Sequence, residues 1–186
     1  MQSWFFFDKQ CYRQTIVGYV FAIDTGTASP LCCRKPRYGP WESDIIMEQI
    51  HDLLENDWIE ECAGPWGIQI VLAPKPHQEH ISNIYYFIWR ICDSCRGSNK
   101  VTKPFEYPIP RCDYAITLIS VGSNIIYIIT VDAKQGCHQI AVYVLHQEKL
   151  DLFAPNNSKC AFKVMPFGPM NAPAFYTRMM QDFHAE

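Results

Sequence analysis

The side chain best placed for chemistry is the carboxylate of Asp132. It directly follows Ile125–Val131, a continuous apolar run that is typical of a strand buried on both faces. The residues after it (Ala133-Lys134-Gln135-Gly136) indicate a turn, and a rigid strand that ends at a turn can present a functional side chain in a fixed direction. The same position also suits an Asp that caps the turn, so position alone leaves both interpretations open.

A second carboxylate lies in Asp24-Thr25-Gly26, which matches the active-site pattern of aspartic proteases. Such a protease needs a second, paired Asp and a flap. Each half of such a protease also needs a long stretch of chain around its Asp, but only 23 residues precede Asp24. The residues that follow Asp24 belong to motifs of a different kind, which are described below. We therefore do not expect protease activity.

A third candidate is Cys92-x-x-Cys95, which is half of a zinc knuckle. A structural zinc site takes four ligands, but the next cysteine is Cys112 and no second pair with this spacing follows. Zinc or thiol binding through the nine cysteines is therefore the weakest of the functional interpretations considered in this subsection.

Composition indicates one folded domain. The chain has 186 residues, of which 48% are apolar, 14% aromatic and 19% charged. The longest apolar run, Ile16–Ile23, has eight residues, whereas a membrane-spanning helix needs about 20. There is no signal-peptide pattern, and an odd number of cysteines suits free thiols in a reducing compartment. We expect an intracellular protein, cytoplasmic or nuclear and not secreted.

The charge is unevenly distributed along the chain. The formal net charge is −3, from 16 basic and 19 acidic residues, which by itself argues against a nucleic-acid partner. However, eight of the acidic residues lie in Glu42–Glu61, a stretch without Lys or Arg. The rest has 16 basic against 11 acidic residues, a net +5, and a nucleic-acid partner is therefore not excluded.

Hydrophobic periodicity predicts the elements that would position these residues. We expect an irregular leader over residues 1–40, then a helix over Trp41–Glu61 with Ser43 as a plausible N-cap. Later predictions are listed in chain order: strands over Gly67–Ala73 and Ile84–Cys92, an extended Pro104–Pro110, a helix over Cys112–Val121, strands over Ile125–Val131 and Cys160–Met165, a turn at Pro166–Gly168, and a last helix capped by Asn171. This order favours an α+β fold.

The run Thr130–Ile140 resembles the first catalytic motif of the reverse transcriptases of gypsy-like long-terminal-repeat retrotransposons. That motif has the form apolar-Asp-x-x-x-Gly-aromatic-His-Gln-Ile. Further similar runs occur in the family's order, and the resemblance covers roughly Ile23 to Phe183: Asp24-Thr25-Gly26 with Pro30, Trp58–Glu61 with Gly64-Pro65-Trp66, Ile70–Lys75, Trp89–Thr102, Tyr107–Arg111, and Val164–Gly168 with Asn171–Ala174.

The resemblance implies the α+β fold of the fingers and a partial palm of a right-hand polymerase. The leader would be residues 1–40 and the partial domain 41–186, with fingers over about 41–124 and palm over about 125–186. The implied function is RNA-directed DNA synthesis on an RNA or DNA template-primer, from deoxynucleotides and with Mg²⁺.

The same resemblance assigns the site residues. Asp132 would be the catalytic carboxylate and would hold Mg²⁺ with the backbone carbonyl of Ala133. Lys75 and Arg90 would neutralise the triphosphate. Cys137 and Phe167 would complete the nucleotide-binding site. His138, by contrast, is expected to be packed and not catalytic.

Departures from the family pattern limit the expected activity. No adjacent Asp pair occurs, so the second catalytic motif, Tyr-x-Asp-Asp, is absent, and the sequence stops inside the helix after Gly168. The family's Asp-Tyr-Arg reads Ser94-Cys95-Arg96 here. Cys137 replaces an aromatic that excludes a 2′-hydroxyl, which would weaken discrimination against ribonucleotides.

We therefore expect a polymerase fragment that is inactive by itself, without the rest of the palm, the thumb and the RNase H of a polyprotein. The alternative is a non-catalytic retroelement remnant or binding module.

Overall fold

The computed structural model describes residues 15–74, 89–109, 111–121 and 133–185. Its longer helices are α1 (Pro40–Glu55), α2 (Arg96–Val101), α3 (Cys112–Val121) and α4 (Ala172–Ala185), and two 3₁₀ helices span Gly136–Gln139 and Val144–Leu150. The strands are β1 (Val20–Phe21), β2 (Ile59–Cys62), β3 (Gln69–Pro74), β4 (Trp89–Ser94), β5 (Ala141–Val142), β6 (Asp151–Phe153) and β7 (Lys159–Phe162). Within these ranges no helix is both long and apolar enough to cross a membrane.

Three small sheets connect distant parts of the chain. β2, β7 and β6 form an antiparallel sheet in that order, with Ile59 opposite Phe162. β3 pairs with β4 in an antiparallel hairpin, and β1 pairs with β5 in parallel. The first sheet joins residues that the sequence assigns to the fingers with residues that it assigns to the palm. The boundary near residue 125 itself lies outside the described residues and stays a prediction.

One hydrophobic core unites these sheets with α1 and α4. Its members come from every large described segment, including the leader: Phe21, Ile23, Ile46, Ile50, Ile59, Ile68, Ile70, Ile140, Leu150, Leu152, Phe162, Met165 and Met179. The leader therefore packs against the domain along β5. The mixture of helices and sheets confirms the predicted α+β class.

Helix α1 differs from its predicted limits at both ends. It begins at Pro40 after Gly39, whose N–H is accepted by the Glu42 carboxylate at 2.7 Å, and Ser43 instead donates its hydroxyl to the Gly39 carbonyl at 2.9 Å. The Ser43 cap was therefore wrong, because proline is preorganised for the first helical position. The predicted end at Glu61 was also wrong: Asp57 adopts a left-handed φ of 59°, which stops the helix.

The remaining predictions agree with the described residues in part. β3 and α3 confirm the predicted strand over Gly67–Ala73 and the helix over Cys112–Val121. The strand predicted over Cys160–Met165 ends earlier, at Phe162, and Val164 forms an isolated bridge with Ala141. The predicted strand Ile125–Val131 lies outside the described residues.

A buried ion pair fixes the turn between β2 and β3. Asp151 is fully buried, and the Lys159 ammonium lies 3.2 Å from its carboxylate. Lys159 also donates to the carbonyls of Gly64 and Trp66. A Cβ on Gly64 would collide with the Asp151 carboxylate. The turn therefore requires a glycine where the backbone approaches the buried pair.

Candidate nucleotide-binding site

Arg90 is held by a glutamine side chain from helix α1. The Gln49 amide donates to the Trp89 carbonyl at 3.3 Å and accepts from the Ile91 N–H at 3.0 Å. It thus bonds the backbone on both sides of Arg90. The Arg90 residue is exposed and lies opposite Ala73 in the β3–β4 hairpin. A guanidinium on such a fixed strand can offer several donors to a phosphate.

The loop that carries Phe167 is bonded by an asparagine from α2, on both sides of Pro169. The Asn99 amide donates to the Gly168 carbonyl at 3.0 Å and accepts from the Met170 N–H at 2.9 Å. These bonds tie the Pro-Phe-Gly loop to the helix that follows β4. The loop is therefore hydrogen-bonded to the helix that directly follows the strand carrying Arg90.

A third amide, from Asn171, completes the connection. It donates to the Lys103 carbonyl at 2.8 Å and accepts from the Phe105 N–H at 2.9 Å. Asn171 immediately precedes α4 and its backbone carbonyl accepts from Phe175. Its side chain, however, bonds the segment after α2, so the expected side-chain cap was a misassignment.

The three contacts share one geometry. In each, the amide bonds the carbonyl of one residue and the N–H of the second residue after it. A residue of a parallel β-strand bonds the backbone of the adjacent strand in the same pattern. We call these contacts, made by Gln49, Asn99 and Asn171, the amide clamps. They satisfy extended backbone that would otherwise lack partners.

Gly168 brings the Pro-Phe-Gly loop onto the end of β4. Its φ is +122°, and a Cβ there would lie 2.7 Å from the Asp93 carbonyl oxygen and 3.0 Å from the Cys95 sulfur. Both the backbone angle and the close approach require glycine. The loop and the strand end are thus in direct contact.

The exposed ring of Phe167 rests on a packed imidazole. Phe167 is 61% exposed, and its ring meets that of His138 edge-to-face at 5.6 Å. His138 stacks in turn on Trp58, with 4.7 Å between the ring centroids. Burial lowers the pKa of His138 to about 4, so the imidazole is neutral at physiological pH. The structure thus places His138 as a packed support, as expected.

Cys137 lies on the 3₁₀ helix Gly136–Gln139, just after Ala133. Its side chain is half-buried against the core, and burial raises the pKa of the thiol. A Cβ on Gly136 would collide with the hydroxyl of Tyr176, so this turn sits tightly on α4. The Ala133 carbonyl accepts the Gly136 N–H at 3.2 Å.

The predicted site residues are only partly visible in the structure. Arg90 and Phe167 are exposed on segments joined by the amide clamps, and Ala133 and Cys137 share one turn. Asp132 and Lys75 lie outside the described residues. Within the described ranges, no group of three or more His, Cys, Asp or Glu side chains is arranged to hold a metal ion. The Mg²⁺ site therefore stays a prediction that depends on Asp132.

Sequence reasoning missed a buried carboxyl beside this site. Asp93 lies in β4, and its buried Oδ1 has no hydrogen-bond partner among the described residues. Burial raises the pKa of the carboxyl to about 7. The sequence feature that could have indicated it is an acidic residue at the end of a predicted strand, directly before Ser94-Cys95-Arg96, where the sequence departs from the family's Asp-Tyr-Arg.

Replacing Asp93 with Asn should remove a pH-dependent loss of stability. The folded state holds the Asp93 proton up to about pH 7, whereas the unfolded state releases it near 3.8. Raising the pH through this window therefore favours unfolding, by up to about 4 kcal/mol. In urea titrations at several pH values, wild type should lose stability relative to Asp93→Asn from pH 4 to 7, with a constant difference above. A pH-independent difference would contradict the assigned burial.

Comparison with known proteins identifies relatives of the whole described fold rather than of single site residues. No protein-family model matches the chain. The chain is 32% identical over 168 residues to the retrovirus-related Pol polyprotein of transposon opus, and 27% identical over 162 residues to that of transposon 297, both from Drosophila melanogaster. These alignments cover 88% and 86% of this chain but only 16% and 14% of the relatives. The chain thus spans about a sixth of their length.

Solved structures show the same fold. A foamy viral protease-reverse transcriptase in complex with RNA/DNA hybrid matches with a TM-score of 0.70 at 19% identity, over 88% of this chain and 20% of that one. A mutant of the prototype foamy virus enzyme matches with a TM-score of 0.72 at 17% identity, over 89% and 21%. The homologues of this chain are therefore the Pol polyproteins of gypsy-type retrotransposons, in which it is similar to one segment, and its fold is that of reverse transcriptases.

Proposed function

We propose that this chain is the nucleotide-binding part of an RNA-directed DNA polymerase encoded by a retrotransposon. The observation that carries the proposal is the pair of exposed side chains, Arg90 and Phe167, on segments that the amide clamps join. Together with the reverse-transcriptase fold, this pair supports a site for a deoxynucleoside triphosphate.

In this proposal each residue has one task. Arg90, with Lys75, binds the triphosphate, since a guanidinium can form paired charge-assisted hydrogen bonds with phosphate oxygens. The exposed ring of Phe167 contacts the nucleotide, and Cys137 takes the place beneath the sugar. Asp132 and the Ala133 carbonyl would hold Mg²⁺, which would supply positive charge to the reacting oxygens.

Template and polyprotein are part of the same proposal. Foamy viral reverse transcriptases of this fold have been solved with double-stranded DNA and with RNA/DNA hybrid, and we propose the same class of partner here. The leader (1–40), fingers (about 41–124) and partial palm (about 125–186) would work with a palm remainder, thumb and RNase H of the polyprotein, inside the cell.

A non-catalytic remnant or binding module remains the second candidate. The observation that favours it is the Asp93 carboxyl, whose buried Oδ1 has no hydrogen-bond partner among the described residues and which therefore carries a cost of burial beside the Pro-Phe-Gly loop. Cys137 in place of an aromatic points the same way. Both candidates predict nucleotide or nucleic-acid binding, but only the first predicts synthesis.

Arg90→Gln should weaken the binding of dTTP by at least about tenfold, because it removes a charge-assisted contact of roughly 1.5–3 kcal/mol. The fluorescence of Trp89, the neighbouring residue, provides the readout in a titration. Arg178→Gln, an exposed arginine on α4, is the matched control and should bind within twofold of wild type. Equal affinities for all three proteins would contradict the assigned site.

Primer extension separates the two candidates. The 186 residues contain no adjacent Asp pair, so we expect no synthesis on poly(rA)/oligo(dT) from this chain alone, since one carboxylate cannot organise two metal ions. A longer polyprotein segment that adds a Tyr-x-Asp-Asp motif should synthesise DNA. Robust synthesis by the 186 residues would refute the need for that motif, and an inactive longer segment would favour the remnant.

A further inference from the structure

Two ionisable side chains of the 3₁₀ helix Val144–Leu150 hold the backbone of one leader residue. The Ile23 N–H donates to the imidazole Nδ1 of His146 at 2.9 Å, and the Lys149 ammonium donates to the Ile23 carbonyl at 2.6 Å. We call this arrangement the leader latch. It contains none of the residues assigned to the nucleotide-binding site and so stands apart from the proposed function.

The leader latch takes over where strand pairing ends. β1 pairs with β5 as far as Phe21, whose carbonyl accepts the Tyr143 N–H at 2.9 Å. Ile23 follows two residues later and is only 3% exposed, so its backbone groups need partners within the protein. His146 and Lys149 supply one acceptor and one donor. Unlike the amides of Gln49, Asn99 and Asn171, both of these partners are ionisable.

The leader is also attached to the segment after α2, directly beyond the latch. The Lys103 N–H donates to the Asp24 carbonyl at 2.8 Å, and the Lys103 ammonium lies 2.8 Å from the Asp24 carboxylate. That carboxylate also accepts the Gly26 N–H at 2.8 Å, and Asn171 bonds the Lys103 carbonyl. Residues 23–26 thus connect the 3₁₀ helix with the segment after α2, and a loosened latch would affect both attachments.

The bond between His146 and the Ile23 N–H requires a neutral imidazole. A neutral imidazole has one acceptor nitrogen, whereas an imidazolium carries a proton on both nitrogens and has none. Because Nδ1 is the acceptor here, Nε2 carries the proton while the latch is closed. A second proton, on Nδ1, would remove the bond and place two N–H donors against each other.

The charges around His146 act in both directions. Burial lowers the pKa of His146, and the Lys149 charge on the same helix lowers it further. Asp24 of the leader and Glu148 of the same helix act to raise it, but the Asp24 carboxylate is already bonded and Glu148 is exposed. The Tyr143 ring packs edge-to-face on the imidazole at 5.1 Å. The net direction favours the neutral, closed form.

We propose that the leader latch is a pH-sensitive switch, which holds the leader at neutral pH and loosens residues 23–26 when His146 is protonated in mild acid. The folded state favours neutral His146, so the contribution of the latch is complete above pH 6.5 and is lost as the pH falls below it. The core stays folded, because its packing does not depend on this bond.

The test measures native-state hydrogen exchange of the Ile23 N–H in the full chain between about pH 7.5 and pH 5. Wild-type protection should fall at least about threefold. The ceiling is about thirtyfold, since the opened imidazole binds its proton near pH 6.5. His146→Asn is the matched variant, because its side-chain oxygen replaces Nδ1 as the acceptor but does not titrate. Its protection should stay within twofold, and His146→Ala should be poorly protected throughout.

Two other amides separate local release from general unfolding. The Lys103 N–H, which donates to Asp24, should lose protection together with Ile23. The Val142 N–H, which donates to the Lys163 carbonyl at 2.8 Å, should keep its protection. A parallel loss at Val142 would overturn the proposal, because the whole domain would then be opening.

Three further results would also overturn the proposal. Wild-type Ile23 protection that does not change with pH would show that the bond does not respond to protonation. An equal fall in His146→Asn would mean that another group senses the pH, and full protection in His146→Ala would mean that the bond holds nothing. An NMR titration of the wild-type imidazole gives an independent measurement: a pKa of His146 below 6.5 supports the latch, and one at or above 6.5 contradicts it.

Discussion

The arrangement of the candidate site depends on satisfying extended backbone where it leaves the sheets. Each amide clamp supplies one donor and one acceptor on separate atoms, so that it can bond a backbone carbonyl and a nearby backbone N–H at once. An ammonium has no acceptor, and a hydroxyl has its donor and acceptor on a single oxygen. Gln49 fixes β4 around Arg90, and Asn99 fixes the loop that carries Phe167. Through them, α1, β4 and α2 become one support for side chains that are far apart in sequence.

Two buried ionisable groups beside this support oppose each other in their response to pH. The neutral form of His138 is favoured in the fold, so its contribution to stability is lost as the pH falls from 6.5 toward 4. The protonated form of Asp93 is favoured, so its contribution is lost as the pH rises toward 7. Between about pH 4 and 6.5 the two effects therefore largely cancel.

Short-range patterns in the sequence correctly predicted the features that depend on neighbouring residues, namely the buried face of a helix and the position of a strand. The apolar spacing of Ile45, Ile46 and Ile50 predicted the buried face of α1, and the β-rich run at Gln69–Pro74 predicted a strand. The motif order predicted the family. The end of α1 was missed because it depends on one left-handed residue, Asp57. The roles of Asn99 and Asn171 were missed because their bonds cross 66 to 71 positions of sequence, which no periodicity reveals. Asp132 and Lys75 stay predictions from resemblance.

The most direct test of the amide clamps is native-state amide hydrogen exchange in Asn99→Ala, with its exposed neighbour Lys100→Ala as the control. Losing the clamp leaves the Met170 N–H without its acceptor, so that amide should exchange about five- to tenfold faster, for a lost bond of roughly 1–1.5 kcal/mol. The Phe105 N–H, held by Asn171, should also exchange faster if the clamps act as one unit. Lys100→Ala should change neither. Wild-type protection of Met170 and Phe105 in Asn99→Ala would contradict the account.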